Sequence, residues 1–279
     1  MIEVKDISKR YGDGTVALGG VSFSIDKKIT SIIGKNGAGK TTLLRILSTQ
    51  LAPSSGTALI NSHDLIKNAD EIRKIIVSVP QEAKPIQYIS ASDFVRMYLS
   101  ARGFGISEAK AAAEKALRKV GLWEFRDKLT AELSGGMKRK VFVATALASD
   151  ADVIFLDEPT TGLDPFSRIE IWHAIKALRG QVILTTHYME EAQALSDDVI
   201  MMDRGKILSK GSVNELLKGF DGLVRVEGRK RRKMAYKVGD VYVSYVDRRK
   251  AAKFINEGEI IRPIMLDDLF IKRGVNLES

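Results

Sequence analysis

Four stretches of the chain are hydrophobic at nearly every position. They are Ile29-Thr30-Ser31-Ile32-Ile33, Ile75-Ile76-Val77-Ser78-Val79, Val153-Ile154-Phe155-Leu156 and Val182-Ile183-Leu184-Thr185-Thr186. Near-continuous apolar runs of this length mark parallel strands covered on both faces. Each run ends in polar or turn-forming residues: Gly34 to Thr41, Pro80-Gln81, Asp157-Glu158 and His187. Ligands of open parallel sheets sit at the carboxyl ends of the strands, so these four ends are expected to face one crevice.

Other periods fill the space between. Residues 2–8 and Val21 to Ile25 alternate as strands, and Tyr11-Gly12-Asp13-Gly14 reads as a turn. Thr57 to Ile60 reads as a short strand and Asp70 to Lys74 as a helical turn. Between Gln81 and Asp152 the pattern turns helical, over Phe94–Ala101 after a capping box at Ser90–Asp93, over Ser107–Val120, and over Val141–Ala148. This is a helical insertion at 82–150. After Asp164-Pro165 a helix is expected to run to Arg179, with Gly180 closing it. Val199–Met202 and Ile207–Ser209 form a hairpin, and Ser212–Glu215 is a second capping box. From Phe220 the character changes. Leu223–Val226, Met234–Val238 and Val241–Val246 read as strands, the last two joined at Gly239-Asp240. A helix at Arg248–Asn256, a strand near Ile260 and a helix at Met265–Lys272 complete a small α+β appendix. The expected division is 1–220 and 221–279.

The chemistry starts at Gly34-Lys35-Asn36-Gly37-Ala38-Gly39-Lys40-Thr41, which fits the phosphate-loop pattern G-x-x-x-x-G-K-[ST] between a strand and a helix. Its glycines let backbone N–H groups approach phosphate oxygens, and the helix N-terminus adds partial positive charge. Residues Gly34 to Thr42 are the expected nucleotide contacts. Lys40 would reach the β- and γ-phosphates, and Thr41 would ligate Mg²⁺. Asp157, at a strand end, suits Mg²⁺, and Glu158 suits a general base for the attacking water. The fold expected is an α/β P-loop NTPase with a mainly parallel core sheet, an antiparallel β subdomain, the helical insertion and the appendix.

Leu133-Ser134-Gly135-Gly136-Met137 resembles the signature of ATP-binding-cassette (ABC) ATPases, and it lies between the phosphate loop and the Asp-Glu strand as in that family. The resemblance covers roughly residues 1–217. It implies further roles. Tyr11 resembles the aromatic that stacks on adenine. Gln81 resembles the glutamine that links the γ-phosphate and Mg²⁺ site to the helical subdomain. Asp164, in Thr161-Gly162-Leu163-Asp164, resembles the loop that touches the opposite subunit, and His187 the switch histidine. Ser134, Gly135 and Gly136 would close on ATP held by a partner in a head-to-tail dimer, a homodimer or a heterodimer with a related ATPase. Met137 stands where the family most often has Gln. His187-Tyr188-Met189-Glu190-Glu191-Ala192 and Leu266-Asp267-Asp268-Leu269-Phe270 resemble the ABC-2, drug- and polysaccharide-export branch. The implied function is the ATP-hydrolysing subunit of a transporter whose polytopic permease subunits are separate chains, with ATP and Mg²⁺ as cofactors.

Composition narrows this. No apolar run is long enough to span a bilayer and the start lacks a signal-peptide pattern, so the chain is expected to be soluble by itself and peripheral on the cytoplasmic face of a membrane. The absence of cysteine excludes disulfides and thiolate metal sites. The net charge of +9 is concentrated between Arg225 and Lys253, where eleven Lys/Arg face three Asp/Glu. Within it, Arg229-Lys230-Arg231-Arg232-Lys233 reads as a solvated loop, or as a contact for anionic lipid. Nucleic acid is disfavoured because the run has no interleaved aromatics, although Tyr236, Tyr242 and Tyr245 follow. His63 and His173 read as surface or helix residues, Trp123 and Trp172 as packing. Two other readings stand beside the transporter subunit: a soluble ABC ATPase acting on nucleic acid or ribosomes, and a nucleotide-dependent regulatory subunit without turnover.

Overall fold

The computed structural model describes residues 1–229, 231–232 and 234–273. The four apolar runs become strands Ile29–Ile33, Ile76–Val79, Val153–Asp157 and Gln181–Thr186, joined in one sheet by Asp198–Asp203 and Lys206–Gly211. From one edge the order is Lys206–Gly211, Asp198–Asp203, Ile29–Ile33, Gln181–Thr186, Val153–Asp157, Ile76–Val79. All pairs are parallel except the first, a hairpin. Every residue of Ile29–Ile33 and Val153–Asp157 is buried, as strands covered on both faces require.

The pleat sends alternate residues to different cores. Ile154, Leu156, Val182 and Leu184 join Leu99, Leu117 and Val141 of the helical insertion. Val153, Phe155 and Ile183 point the other way, to Leu43 and Leu47 of the helix Lys40–Leu47 and to Ile2, Val4 and Ile60 of a second sheet. That sheet is antiparallel, in the order Val16–Ile25, Ile2–Arg10, Ser55–Ile60, His63–Asp64. The helices of the insertion are Ala91–Ala101, Ile106–Lys119 and Gly135–Ala148.

The appendix folds as a third, antiparallel sheet in the order Tyr236–Val238, Val241–Asp247, Leu223–Gly228, Ile260–Arg262. Its hairpin turns at Gly239-Asp240, with Val238 paired to Val241. The helix Asp267–Lys272 then returns to the body. Leu266 and Phe270 are fully buried against Ile33, Ala192, Val199 and Met201. Lys230 and Lys233 of the basic run, and the six residues that end the appendix, lie outside the described residues.

Several expectations shift. Ile75 ends the helix Ala69–Ile75 rather than opening the strand. The helix from Pro165 stops at Lys176, and the appendix helix of residues 248–256 begins as a 3₁₀ turn. Met234 stands outside the strand Tyr236–Val238, at φ 61°. Ser90 caps its helix by accepting from Asp93 N, but the Asp93 carboxylate takes the Ser90 hydroxyl instead of completing a reciprocal box. Ser212 and Glu215 do complete theirs. The helix Met189–Leu195 was not foreseen. It is short and its N-cap, Tyr188, offers no side-chain cap, so the usual start signal is missing. The basic window is also less free than its charge suggests. Arg225 pairs with Glu227, Asp267 and Asp268, Arg232 with Glu257 and Glu259, and Arg249 with Asp247.

Candidate active site

The strand ends meet as expected. Gly37 and Gly39 take φ 77° and 98°, a region that favours glycine, and a Cβ at Gly39 would lie 2.5 Å from the Ala17 carbonyl oxygen. The helix Lys40–Leu47 follows with no side-chain cap on its N-terminal N–H groups. Lys35, Asn36 and Ala38 complete the loop, and Gly205 N donates to Ala38 O from the neighbouring hairpin. Lys40 turns back through this loop. Its Nζ donates to the carbonyls of Gly34 and Lys35 at 2.8 and 2.9 Å and stands 3.9 Å from Glu158 Oε1. Burial pulls the Lys40 pKa down, while the charges of Glu158 and Asp157 oppose that shift.

Asp157 Oδ1 accepts from Thr41 Oγ1 at 3.1 Å and from Thr185 Oγ1 at 2.5 Å. No hydrogen bond among the described residues reaches Oδ2. Burial raises the Asp157 pKa against both hydroxyls. A cleft of about 440 Å³ opens beside Thr41 and Asp157, with Gln50, Ser78 and Gln81 in its wall.

Glu158 is 6% exposed and sits at φ 47°, a left-handed conformation that costs a non-glycine residue on the order of 1 kcal/mol. It is held there by its N–H, which donates to the Thr185 carbonyl and hydroxyl at 3.1 and 3.0 Å. Its Oε2 gathers the remaining groups. Thr161 Oγ1 donates at 2.8 Å, Gln81 Nε2 donates at 3.3 Å, and His187 Nδ1 lies at 3.1 Å. Lys40, Gln81, Glu158 and His187, brought from four strand ends, thus meet at one carboxylate.

The other named residues lie around this centre. The Tyr11 hydroxyl is 3.1 Å from Thr42 Oγ1, which fastens the first turn to the phosphate-loop helix. Ser134 caps the helix Gly135–Ala148 by accepting from Met137 N at 3.2 Å. Among the described residues no hydrogen bond joins Ser134, Gly135 or Gly136 to the phosphate loop. Asp164 is exposed and caps the helix Pro165–Lys176, accepting from Phe166 N and Ser167 N. Three contributors escaped the sequence reading. Thr185 and Thr161 orient the two carboxylates. Thr185 was visible as a polar residue closing an apolar run. Arg139, on the helix opened by Ser134, donates to the carbonyls of Pro80 and Gln81 at 3.3 and 2.8 Å and so ties that helix to the Gln81 loop. Burial lowers its pKa while Asp157 and Glu158 oppose that.

Comparison with known proteins decides the family. Residues 18–161 match the family model described as ABC transporter. The chain belongs to the ABC transporter family. ATP is the nucleotide of this ABC ATPase and its hydrolysis the reaction. It is 36% identical over 219 residues to the daunorubicin resistance ATP-binding protein DrrA3 of Streptomyces coeruleorubidus, covering 77% of this chain and 69% of that protein. It is 36% identical over 227 residues to the Nod factor export ATP-binding protein I of Ralstonia nicotianae, covering 78% and 68%. Among solved structures, an ATP-binding cassette, dimeric in a post-hydrolysis state with ADP and Pi, superposes with TM-score 0.70 at 27% identity, over 76% of this chain and 98% of that one. The cbiO1 structure from Clostridium perfringens, part of the ABC transporter complex cbiONQ, gives TM-score 0.69 at 30% identity, over 78% and 90%.

Proposed function

We propose that this ABC ATPase powers a separately encoded polytopic permease of the export type, as a dimer on the cytoplasmic face of a membrane. The carrying observation is the joining of Lys40, Gln81, Glu158 and His187 at one carboxylate, while Arg139 binds the Gln81 loop to the helix that Ser134 opens.

In this reading Gly34 to Thr42 hold the phosphates and Tyr11 the adenine. Thr41 and Asp157 hold Mg²⁺, with Gln81 beside them. The donor set fits that ion: a hydroxyl and one carboxylate are hard oxygen ligands, and Asp157 keeps Oδ2 clear of protein donors. When bound, Mg²⁺ supplies neutralisation of phosphate charge. Glu158 accepts the proton of the attacking water. Gln81 and His187 orient Glu158 from its other oxygen. Ser134, Gly135, Gly136 and Asp164 face the nucleotide of the second subunit, a copy of this chain or a related one. The exposed positions of Ser134, Gly135 and Asp164, with Gly136 half-buried beside them, suit such a contact.

The helical insertion, 82–150, supplies the face for the permease. Its segment at 86–90 pairs with 129–131 through Thr130 N to Ile89 O and Ala131 N to Gln87 O. This pairing leaves Ile86, Tyr88 and Leu129 exposed next to the Gln81 loop. Among the described residues no helix is long and apolar enough to cross a membrane. The appendix carries its own sheet and docks on the body through Leu266 and Phe270. Its exposed Arg229, Arg231, Lys237, Arg248, Lys250 and Lys253 offer an anionic lipid surface on the order of 1 kcal/mol per residue.

The test is a pull-down of the tagged chain from detergent-solubilised native membranes. A polytopic protein at equal stoichiometry is the expected result. Recovery from the soluble fraction alone, with RNA or ribosomes attached, would overturn the transporter reading.

A further inference from the structure

Behind the crevice lies a carboxylate with no exposed surface. Glu191 belongs to the helix Met189–Leu195, one turn beyond His187. Its Oε1 accepts from Thr160 Oγ1 at 2.7 Å and from the Trp172 indole Nε1 at 3.1 Å. Burial pushes its pKa upward, while Thr186, Thr160, Trp172 and Arg168 favour the charged form. The Arg168 guanidinium lies 4.3 Å from the centre of the Tyr188 ring.

The partners come from segments that carry the chemistry. Thr160, also fully buried, lies between Glu158 and Asp164. Trp172 and Arg168 stand on the helix that Asp164 caps. Thr186 immediately precedes His187 and Tyr188 follows it. A buried carboxylate is costly unless its hydrogen bonds are made, and an apolar side chain would fill the same space without that cost. What the carboxylate adds is a fixed joint between two loops.

We propose that Glu191 is a positioning residue for ATP hydrolysis: it locks the segment from Glu158 to Asp164 to the segment carrying His187, so that a displacement of either loop moves the other. The proposal rests on the roles given above to Glu158, Asp164 and His187. Glu191 itself touches no nucleotide.

The experiment uses the full chain in a Trp123→Phe background, which leaves Trp172 as the sole tryptophan of the two in the sequence. Three readouts are taken: Kd for a fluorescent ATP analogue, kcat for ATP hydrolysis per folded molecule, and Trp172 emission with and without Mg-ATP. Thr160→Val removes the hydroxyl at similar shape, Glu191→Leu removes the acceptor, and Glu191→Gln keeps one acceptor oxygen. Thr160→Val and Glu191→Leu are each expected to lower kcat by about 10- to 100-fold, the cost of a displaced catalytic group. The analogue Kd should stay within about twofold, the double variant should lose no more than the worse single, and Glu191→Gln should restore turnover. Mg-ATP should shift Trp172 emission in the parent and in Glu191→Gln, but not in Glu191→Leu. Wild-type kcat in Thr160→Val would overturn the proposal, as would a Trp172 signal blind to Mg-ATP in a parent that binds it. A parent that fails to bind the ATP analogue would overturn the nucleotide-site reading first, and the proposal with it.

Discussion

Asp157, in the crevice, and Asp268, on the helix that closes the appendix, are both buried carboxylates whose pKa burial pushes upward. Their hydrogen bonds differ. Asp157 takes both of its donors, the Thr41 and Thr185 hydroxyls, on Oδ1. Asp268 uses both oxygens: Oδ2 accepts from Met265 N at 2.7 Å, and Oδ1 from the Tyr245 hydroxyl at 3.0 Å and Arg225 Nη1 at 3.4 Å. One carboxylate leaves an oxygen clear of protein donors, and the other spends both on the fold. Burial and pKa direction do not separate a reactive acid from a structural one here. Between these two the distribution of donors over the oxygens differs, though Glu191, whose buried Oε2 also meets no donor among the described residues, shows that a clear oxygen alone does not make a reactive acid.

Changes in the crevice should therefore remove activity at little cost to stability, and changes at the appendix joint the reverse. The largest effect expected is Glu158→Gln. Loss of the base should lower steady ATP hydrolysis by about 10²- to 10⁴-fold. ATP binding should persist, and the ATP-bound dimer should accumulate in size-exclusion chromatography. Wild-type turnover would remove Glu158 from the role of base.

On the other side of the comparison, Asp268→Asn should unfold more easily. Asn offers one acceptor oxygen, so its amide faces either Met265 N–H or the Tyr245 and Arg225 donors. Leaving a buried donor unmet costs about 1–3 kcal/mol, and each kcal/mol shifts Tm by about 2–4 °C in a chain of this size. A fall of about 2–12 °C is expected, with ATP affinity unchanged in the folded protein. A smaller version of the same break is Tyr245→Phe. It removes the hydroxyl that Asp268 Oδ1 and the Asp268 carbonyl share and keeps the ring's edge contact with Phe220, so a loss of about 1 kcal/mol is expected in urea unfolding. If either variant instead lost ATP binding with its Tm intact, the appendix joint would belong to the site.

The crevice was legible because its chemistry is encoded at strand ends. A nearly unbroken apolar run followed by Gly34, Gln81, Asp157 or His187 gives position and residue type together, and parallel strands bring such ends to one edge. Its supporting residues were not legible. Thr185 and Thr161 are ordinary threonines until the sheet register sets them against Asp157 and Glu158. Arg139 lies one turn along the helix Gly135–Ala148, ahead of the Val141–Ala148 stretch that periodicity marked, and its contact with the Gln81 carbonyl is a tertiary event. Glu191 read as part of a family-like phrase, and its burial contradicts what its charge suggests. In the appendix the strands and the Gly239-Asp240 turn were foreseen from local pattern. The inward pairing of Arg225 and Arg232 was not, because net charge over a window does not record which acids the fold brings against it.

The smallest predicted effect tests the comparison most directly. In Asp157→Asn, Oδ1 can keep both hydroxyl donors while the amide takes the place of Oδ2, so no protein donor is opposed. Because the native pKa of Asp157 lies above its ordinary 3.8, the folded protein holds that proton more tightly than the unfolded chain does. The stability linked to this group is complete below 3.8 and is lost as pH rises through the native value. Near neutral pH the charge is a standing cost, which Asn removes. Loss of its attraction for Lys40 works the other way and keeps the gain small. Thermal unfolding at neutral pH should therefore give a Tm at or a little above that of the parent, with ATP hydrolysis lost. The difference in Tm should close as pH falls towards 3.8, where the parent's Asp157 is itself protonated. A fall in Tm as large as that of Asp268→Asn would mean that both Asp157 oxygens serve the fold, and the contrast between the two carboxylates would fail.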